Sequence, residues 1–225
     1  MYEFVTGPLA WVAFAVFFFG LIARLIWYIR GLDWQLDRVA YTHHWFYGIK
    51  GAARSVVRWL IPYGTHSWRF YYVFTILVFV FHIGIIITPI FLLSHNLLLE
   101  ERWGFRLPAL PEAFTNVMTV LVMVAVVLIL VRRFVLPHVR ILTTAYDIVL
   151  LLIVAAPFVT GFLAYQQMGD YQFWLIAHIL SGEIMLIAVP LTKLSHALLF
   201  FMSRMQLGMD YGIKRGGMKS PGMQW

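Results

Sequence analysis

Five apolar runs constrain this chain more than any other feature: residues 6–29, 70–94, 114–131, 141–165 and 173–202. Crossing the hydrocarbon layer takes about 20 mostly apolar residues, and each run meets or approaches that length. Inside a bilayer the backbone finds no water to bond, so such runs fold as helices. The expectation is an all-α integral membrane protein, a five-transmembrane-helix bundle forming a single membrane domain over 1–225. Composition agrees. The chain is 62% hydrophobic and 12% charged, a balance that excludes an ordinary soluble domain. It holds no cysteine. That excludes disulfides, cysteine-ligated iron–sulfur clusters and covalently attached c-type haem in this chain.

The charges set the expected orientation. The first run follows Glu3 and ends on Arg24 and Arg30, the reverse of a signal peptide, so it reads as a retained span. Basic residues then collect in three places: 31–69 (Arg38, Lys50, Arg54, Arg58, Arg69), the loop after the third span (Arg132, Arg133, Arg140), and the tail 203–225 (Arg204, Lys214, Arg215, Lys219). The other side carries Arg102 and Arg106. The positive-inside rule puts the N-terminus outside and the C-terminus in the cytoplasm, in a multi-pass membrane protein. The net charge of +7 is thereby topological and does not indicate nucleic acid. Within 31–69, Ile49, Ala53, Val56, Val57 and Leu60 share one helical face, and Lys50, Arg54 and Arg58 another. This predicts either a helix lying in the cytoplasmic interface or a basic loop with a short helix. The tail is expected to be extended.

Histidines within the spans are the candidate functional residues, because ionisable groups in a membrane usually mark function. His178 and His196 lie eighteen residues apart in the last run. At about 100° and 1.5 Å per residue, they leave one face of a continuous helix roughly 27 Å apart. His82 lies inside the second run and His95 at its end. With these spans antiparallel, His95 pairs with His178 at the outer side and His82 with His196 at the inner side. Imidazole is an axial haem ligand, and ligation by two histidines leaves no open position, which suits electron transfer. Two haems b are therefore expected, with these four histidines on iron. The competing reading is buried hydrogen-bonded histidines or a proton relay. Thirteen residues separate His82 from His95, about 220° beyond whole turns. A shared face therefore requires a change of direction at Pro89 or after Leu93. His138 follows Pro137 and reads as structural, and His43, His44 and His66 read as polar residues of the connection.

Arg54, Arg58, Arg69 and Lys193 are candidate haem-propionate contacts, or cations snorkelling to the interface. Glu183 lies about 140° around the helix from His178. It reads as a proton carrier, a quinone-pocket residue or a neutral hydrogen-bonding acid. Asp147 is expected to pair with Arg140 or Arg133. Beside His95 and His178 the expectation is either a quinone site, capped by Trp103, Phe105 and Arg106 with polar groups from Tyr165, Gln166 and Asp170, or a loop that only docks an extracytoplasmic partner.

The run RRFVLPHVRILTTAYDIVLLL (Arg132 to Leu152), the FHIG at Phe81 to Gly84 and the His178/His196 spacing resemble the gamma subunit of respiratory nitrate reductase. THSWR at Thr65 and FLLSHNLLLEERWGFRLPALPE from Phe91 are similar to its relatives in sulfate-reducing bacteria, the cytochrome b subunits of transmembrane redox complexes. The resemblance spans essentially the whole chain. It implies a five-helix dihaem cytochrome b that exchanges electrons with a quinone, menaquinone being the candidate. The implied partners are a cytoplasmic iron–sulfur subunit, a multihaem cytochrome c and other membrane subunits in a hetero-oligomer. The chain departs from the nitrate reductase pattern in two places. Leu92 stands where that family has its second histidine, so His95 takes the role. The segment PEAFTNVM (Pro111 to Met118) lacks the lysine of that family's quinol site. The expectation is an electron-transfer subunit rather than an enzyme on its own. A haem-free anchor subunit and a histidine-relay proton channel are the alternatives.

Overall fold

The structure is a computed structural model describing residues 2–32 and 38–214, with side chains described at 2–32 and 45–213. The described residues form helices and turns, with no strand among them. In chain order the helices are α1 (Tyr2–Arg30), α2 (Arg38–Leu60), α3 (His66–Phe70), α4 (Tyr72–Phe91), α5 (Leu93–Trp103), α6 (Glu112–Val135), α7 (Pro137–Arg140), α8 (Ala145–Tyr165), α9 (Tyr171–Leu191) and α10 (His196–Lys214). Five of them, α1, α4, α6, α8 and α9, are long and apolar enough to cross a membrane. The protein is therefore an all-helical, multi-pass membrane protein in architecture.

Local chemistry explains where these helices stop. Thr144 and Asp147 close a capping box at the start of α8, the Asp147 carboxylate accepting from the Thr144 amide at 3.0 Å. Asp147 thus holds the helix start, and the fourth span begins at Ala145 rather than 141. Gly104, at φ 70°, ends α5 in the left-handed conformation that glycine adopts without cost. Arg132 and Arg133 lie in the last turn of α6, where the helix dipole favours cations.

The fifth run departs from expectation. It is not one helix over 173–202. The helix α9 ends at Leu191, one residue past Pro190, and Thr192 is extended at φ −124°, ψ −171°. The Thr192 hydroxyl accepts from the Leu194 amide, a 3-10 turn follows over Lys193–Ser195, and α10 starts afresh at His196. The argument that His178 and His196 share one helical face therefore fails. The tail also differs: it is helical to Lys214, and its remainder lies outside the described residues.

By its contacts the chain divides into two compact units, Met1–Ala10 with Ile76–Met185, and Trp11–Thr75 with Leu186–Trp225. In the first, Val122, Ala125 and Val126 of α6 and Leu150, Leu151, Val154, Ala155 and Phe158 of α8 form a buried core at helical spacing. Gly84 of α4 sits against the Val122 side chain, where a Cβ would collide. Small residues permit such close approach in membrane helices.

In the second unit, α2 packs on α10 backbone to backbone. Gly51 meets the Gly208 carbonyl and Gly212 meets the Tyr47 carbonyl, both too close for a Cβ. The buried face of α2 is thus Gly48, Gly51 and Ser55. Its apolar stripe, Ile49, Ala53, Val57 and Leu60, is exposed. On α1, Gly20 lies under Pro190, with a Cβ there only 2.6 Å from the ring, and one turn on Arg24 Nε donates to the Pro190 carbonyl at 2.7 Å.

Candidate functional site

The site is built from the end of α4. A helix end leaves its last four carbonyls without helical partners. Leu92 is extended at φ −68°, ψ 132°, so α4 stops there, three residues past Pro89. Each released carbonyl is taken up again. His95 Nδ1 donates to Pro89 at 2.8 Å. The Asn96 amide nitrogen donates to Ile90 and Leu92, both at 3.0 Å. The Leu110 amide donates to Phe91 at 3.0 Å. Asn96 is fully buried, and its carbonyl oxygen accepts from the Leu107 amide at 3.1 Å, tying the following loop to the break. His95 therefore does not continue the screw of α4, and the phase of one unbroken helix does not apply to it.

The facing ring comes from α9. His178 Nδ1 donates to the Pro157 carbonyl of α8 at 2.9 Å. Gly161, one turn past Pro157, makes room: a Cβ there would lie 2.9 Å from both Cε1 and Nδ1 of His178. The Thr160 and Ser181 hydroxyls join the same two helices at 3.1 Å.

His95 and His178 then meet, ring centroids 5.8 Å apart and planes 19° from parallel. Both are half-buried. A carbonyl has no proton to give, so each ring donates from Nδ1, and in the neutral imidazole Nε2 carries the lone pair. Two imidazoles bound on opposite sides of one metal, with bonds of about 2 Å, have centroids about 6.3 Å apart. The observed separation is close to that and also within the range of offset ring stacking. Among the described residues no group of three or more His, Cys, Asp or Glu could hold a metal ion by itself.

His82 and His196 show the same Nδ1 pattern. His82 bonds the Val78 carbonyl at 2.8 Å and is half-buried, with Phe81 edge-on at 5.2 Å. His196 bonds the Lys193 carbonyl at 2.9 Å and is exposed at the first position of α10. His82 belongs to the first unit and His196 to the second.

Among the candidate propionate contacts, Arg58 donates to Gly64 and Arg69 to Thr65, each at 3.4 Å, so both brace the turn after α2. Arg54 is half-buried and Lys193 exposed. Among the candidate quinone residues, Trp103 stacks on Phe105 at 6.2 Å, and Arg106 pairs with Glu100 at 3.6 Å with both side chains exposed. Tyr165 is exposed and Gln166 follows as the C-cap of α8. Asp170 caps α9 by accepting from the Gln172 amide at 2.9 Å.

Sequence reasoning missed Asn96, Gly161, Thr192 and Arg24 as organising residues. The signals were present: a polar Asn directly after His95, a Gly four residues after Pro157, and a Thr two residues after Pro190.

No protein-family model matches the chain, and no solved structure matches it. A protein of Nitratidesulfovibrio vulgaris, strain Hildenborough, is 57% identical over 226 residues, covering the whole of both chains; its name, "Protein", states no activity. At that identity over the full length, the chain belongs to one family with this Nitratidesulfovibrio protein.

Proposed function

We propose that the chain is the dihaem cytochrome b subunit of a membrane redox complex. The observation that carries this reading is the His95–His178 pair: two rings 5.8 Å apart, each with Nδ1 tied to a backbone carbonyl. That second-shell bond orients a ligating imidazole and raises its basicity. His95 and His178 hold the outer haem, and His82 and His196 hold the inner one. Bound haem supplies one-electron chemistry, with a potential set by its ligands, hydrogen bonds and burial. The chain's own work is to fix the rings, exclude water and separate the two sides. Electrons pass between a quinone or a periplasmic multihaem cytochrome c and a cytoplasmic iron–sulfur subunit. The N-terminus faces outward in the bacterial inner membrane, as the basic loops require. Arg54, Arg58, Arg69 and Lys193 offer charge to propionates at the inner side. Trp103, Arg106, Tyr165 and Gln166 line the outer connections, where menaquinone would bind.

The test is the purified chain in detergent, assayed for haem by pyridine haemochrome and by a reduced-minus-oxidised spectrum. Two haems b per chain are expected. A chain that folds, carries no haem and gains none on reconstitution would leave the haem-free anchor reading, with the two rings simply stacked.

A further inference from the structure

Glu183 has no role in the ligand geometry, yet it is the most anomalous group in the first unit. It lies in α9, 6% exposed, and neither carboxyl oxygen has a hydrogen-bond partner. Counted from Tyr171, it stands about 18 Å into a helix about 31 Å long, near the middle of the apolar layer. A buried ionised carboxylate without partners costs several kcal/mol at least, so such groups are paired or neutral. The cations of the first unit, Arg102, Arg106, Arg132, Arg133 and Arg140, lie at helix ends and in the connections, away from mid-helix position 183. Away from the end turns of α4, α6, α8 and α9 the ionisable groups are His82, His178 and Glu183, with His95 near the start of α5. Glu3 adds only a further acid from α1, and the interiors of α6 and α8 carry none. The three histidine rings each spend Nδ1 on a backbone carbonyl. Two further details bear on access. A Cβ placed on neighbouring Gly182 would meet nothing within 4 Å, so open space adjoins this turn. The buried Thr88 hydroxyl of the same unit also lacks a partner, and orphaned polar groups of this kind usually mark bound water.

We propose that Glu183 is a proton-binding site within the apolar layer, held as the neutral acid and reloaded from water through the space beside Gly182. The bond formed and broken is the carboxyl O–H; the proton comes from water and returns to it, with no electron transferred. This inference does not depend on haem.

The experiment is infrared spectroscopy of the full chain in lipid nanodiscs, comparing wild type with Glu183→Gln. A protonated-carboxyl C=O band is expected in wild type, lost in Glu183→Gln and shifted on transfer to D2O. Glu183→Asp should keep a displaced band. Gly182→Leu should keep the band but slow its D2O shift several-fold by filling the space. Circular dichroism and thermal unfolding check that each variant folds. Mass spectrometry of wild type treated with a lipophilic carbodiimide, which attacks protonated carboxyls, should place the adduct on Glu183 and so needs no variant. Identical spectra for wild type and a folded Glu183→Gln would overturn the proposal, because Glu183 would then be ionised. A Glu183 band that D2O leaves unmoved would overturn it as well, because the acid would then be sealed. A D2O shift equally fast in Gly182→Leu would refute the route.

Discussion

Gly161→Ala is the sharpest probe of the candidate site, because it adds one methyl group and replaces no proposed ligand. The new Cβ would lie 2.9 Å from Cε1 and Nδ1 of His178. Ordinary contacts between such atoms are about 3.5–4.0 Å, so the ring must retreat by about 0.6 Å or more. Retreat stretches the 2.9 Å bond from Nδ1 to the Pro157 carbonyl beyond useful length. Losing a second-shell bond of this kind lowers metal affinity about 10–100-fold, equivalent to about 1.4–2.7 kcal/mol. Overpacking adds about 1–3 kcal/mol of destabilisation, offset by about 1 kcal/mol of helix propensity gained over glycine. The assay is haem per chain and low-spin spectrum after purification, beside thermal unfolding. The expected result is partial loss or a spectral shift of one haem, with the other unchanged. Gly182→Ala is the control, since nothing stands within 4 Å of its Cβ, and it should leave the haem spectrum alone. If Gly161→Ala keeps the full two-haem spectrum and the wild-type melting temperature, the tight seat of His178 on α8 is not what orients the ring.

Replacing His95 or His178 by Ala should each remove the same haem, and His82→Ala or His196→Ala the other; haemochrome content of one haem per chain checks this, and loss of both or neither argues against the pairing. Asn96→Leu leaves the Ile90 carbonyl and the Leu107 amide without their partner in a buried site, at about 1–3 kcal/mol each. It should lower the melting temperature and broaden the spectrum of the haem on His95. Gly51→Val drives a side chain into the Gly208 carbonyl and should separate α2 from α10, destabilising the chain by at least about 1–3 kcal/mol; unchanged thermal unfolding would contradict the packing. A reporter fused after Trp225 should be active only in its cytoplasmic form, as the basic loops demand.

The spans were legible in the sequence because hydrophobic length is a one-dimensional signal. The five apolar runs and the five long apolar helices correspond, most ends shifting by up to four residues, the fourth start fixed by the Thr144–Asp147 box and the fifth run cut short at Leu191. Pairing of His95 with His178 was legible from depth alone. How the two rings come to meet was not. The break at Leu92 depends on who takes the released carbonyls: the Leu110 amide takes that of Phe91, and the Leu107 amide holds the Asn96 side chain that takes two others, both amides lying far along the chain in an irregular loop. No periodicity encodes that. The break at Thr192 was hidden for the same reason: Pro190 looked like a kink in one helix, and only the capping of Leu194 and the bond from Arg24 show that the chain restarts there. On α2 the apolar stripe was the obvious face, yet glycines at 48 and 51 decide the packing, because backbone approach outweighs side-chain hydrophobicity where the surroundings are themselves apolar.

One requirement links the four histidines, and each meets it differently. An imidazole that is to present Nε2 in a fixed direction needs an acceptor for its Nδ1 proton, and inside a membrane helix the carbonyls are already engaged. His82 leans back along its own helix and shares the Val78 carbonyl, four residues earlier. His95 uses a carbonyl that the α4 break sets free. His196 takes the Lys193 carbonyl in the tight turn that starts α10. His178 has neither a break nor a turn beside it and must reach α8. A helical side chain covers the turn on the N-terminal side of its own Cα, so residue 161 would normally lie over the Pro157 carbonyl. With glycine at 161 that carbonyl is bare, and the His178 ring occupies the place a side chain would have filled. Helix ends, a reverse turn and a missing side chain therefore serve one chemical end. An ordinary buried histidine needs only some partner for its ring, whereas four rings held through the same nitrogen leave Nε2 as the lone-pair nitrogen in every case.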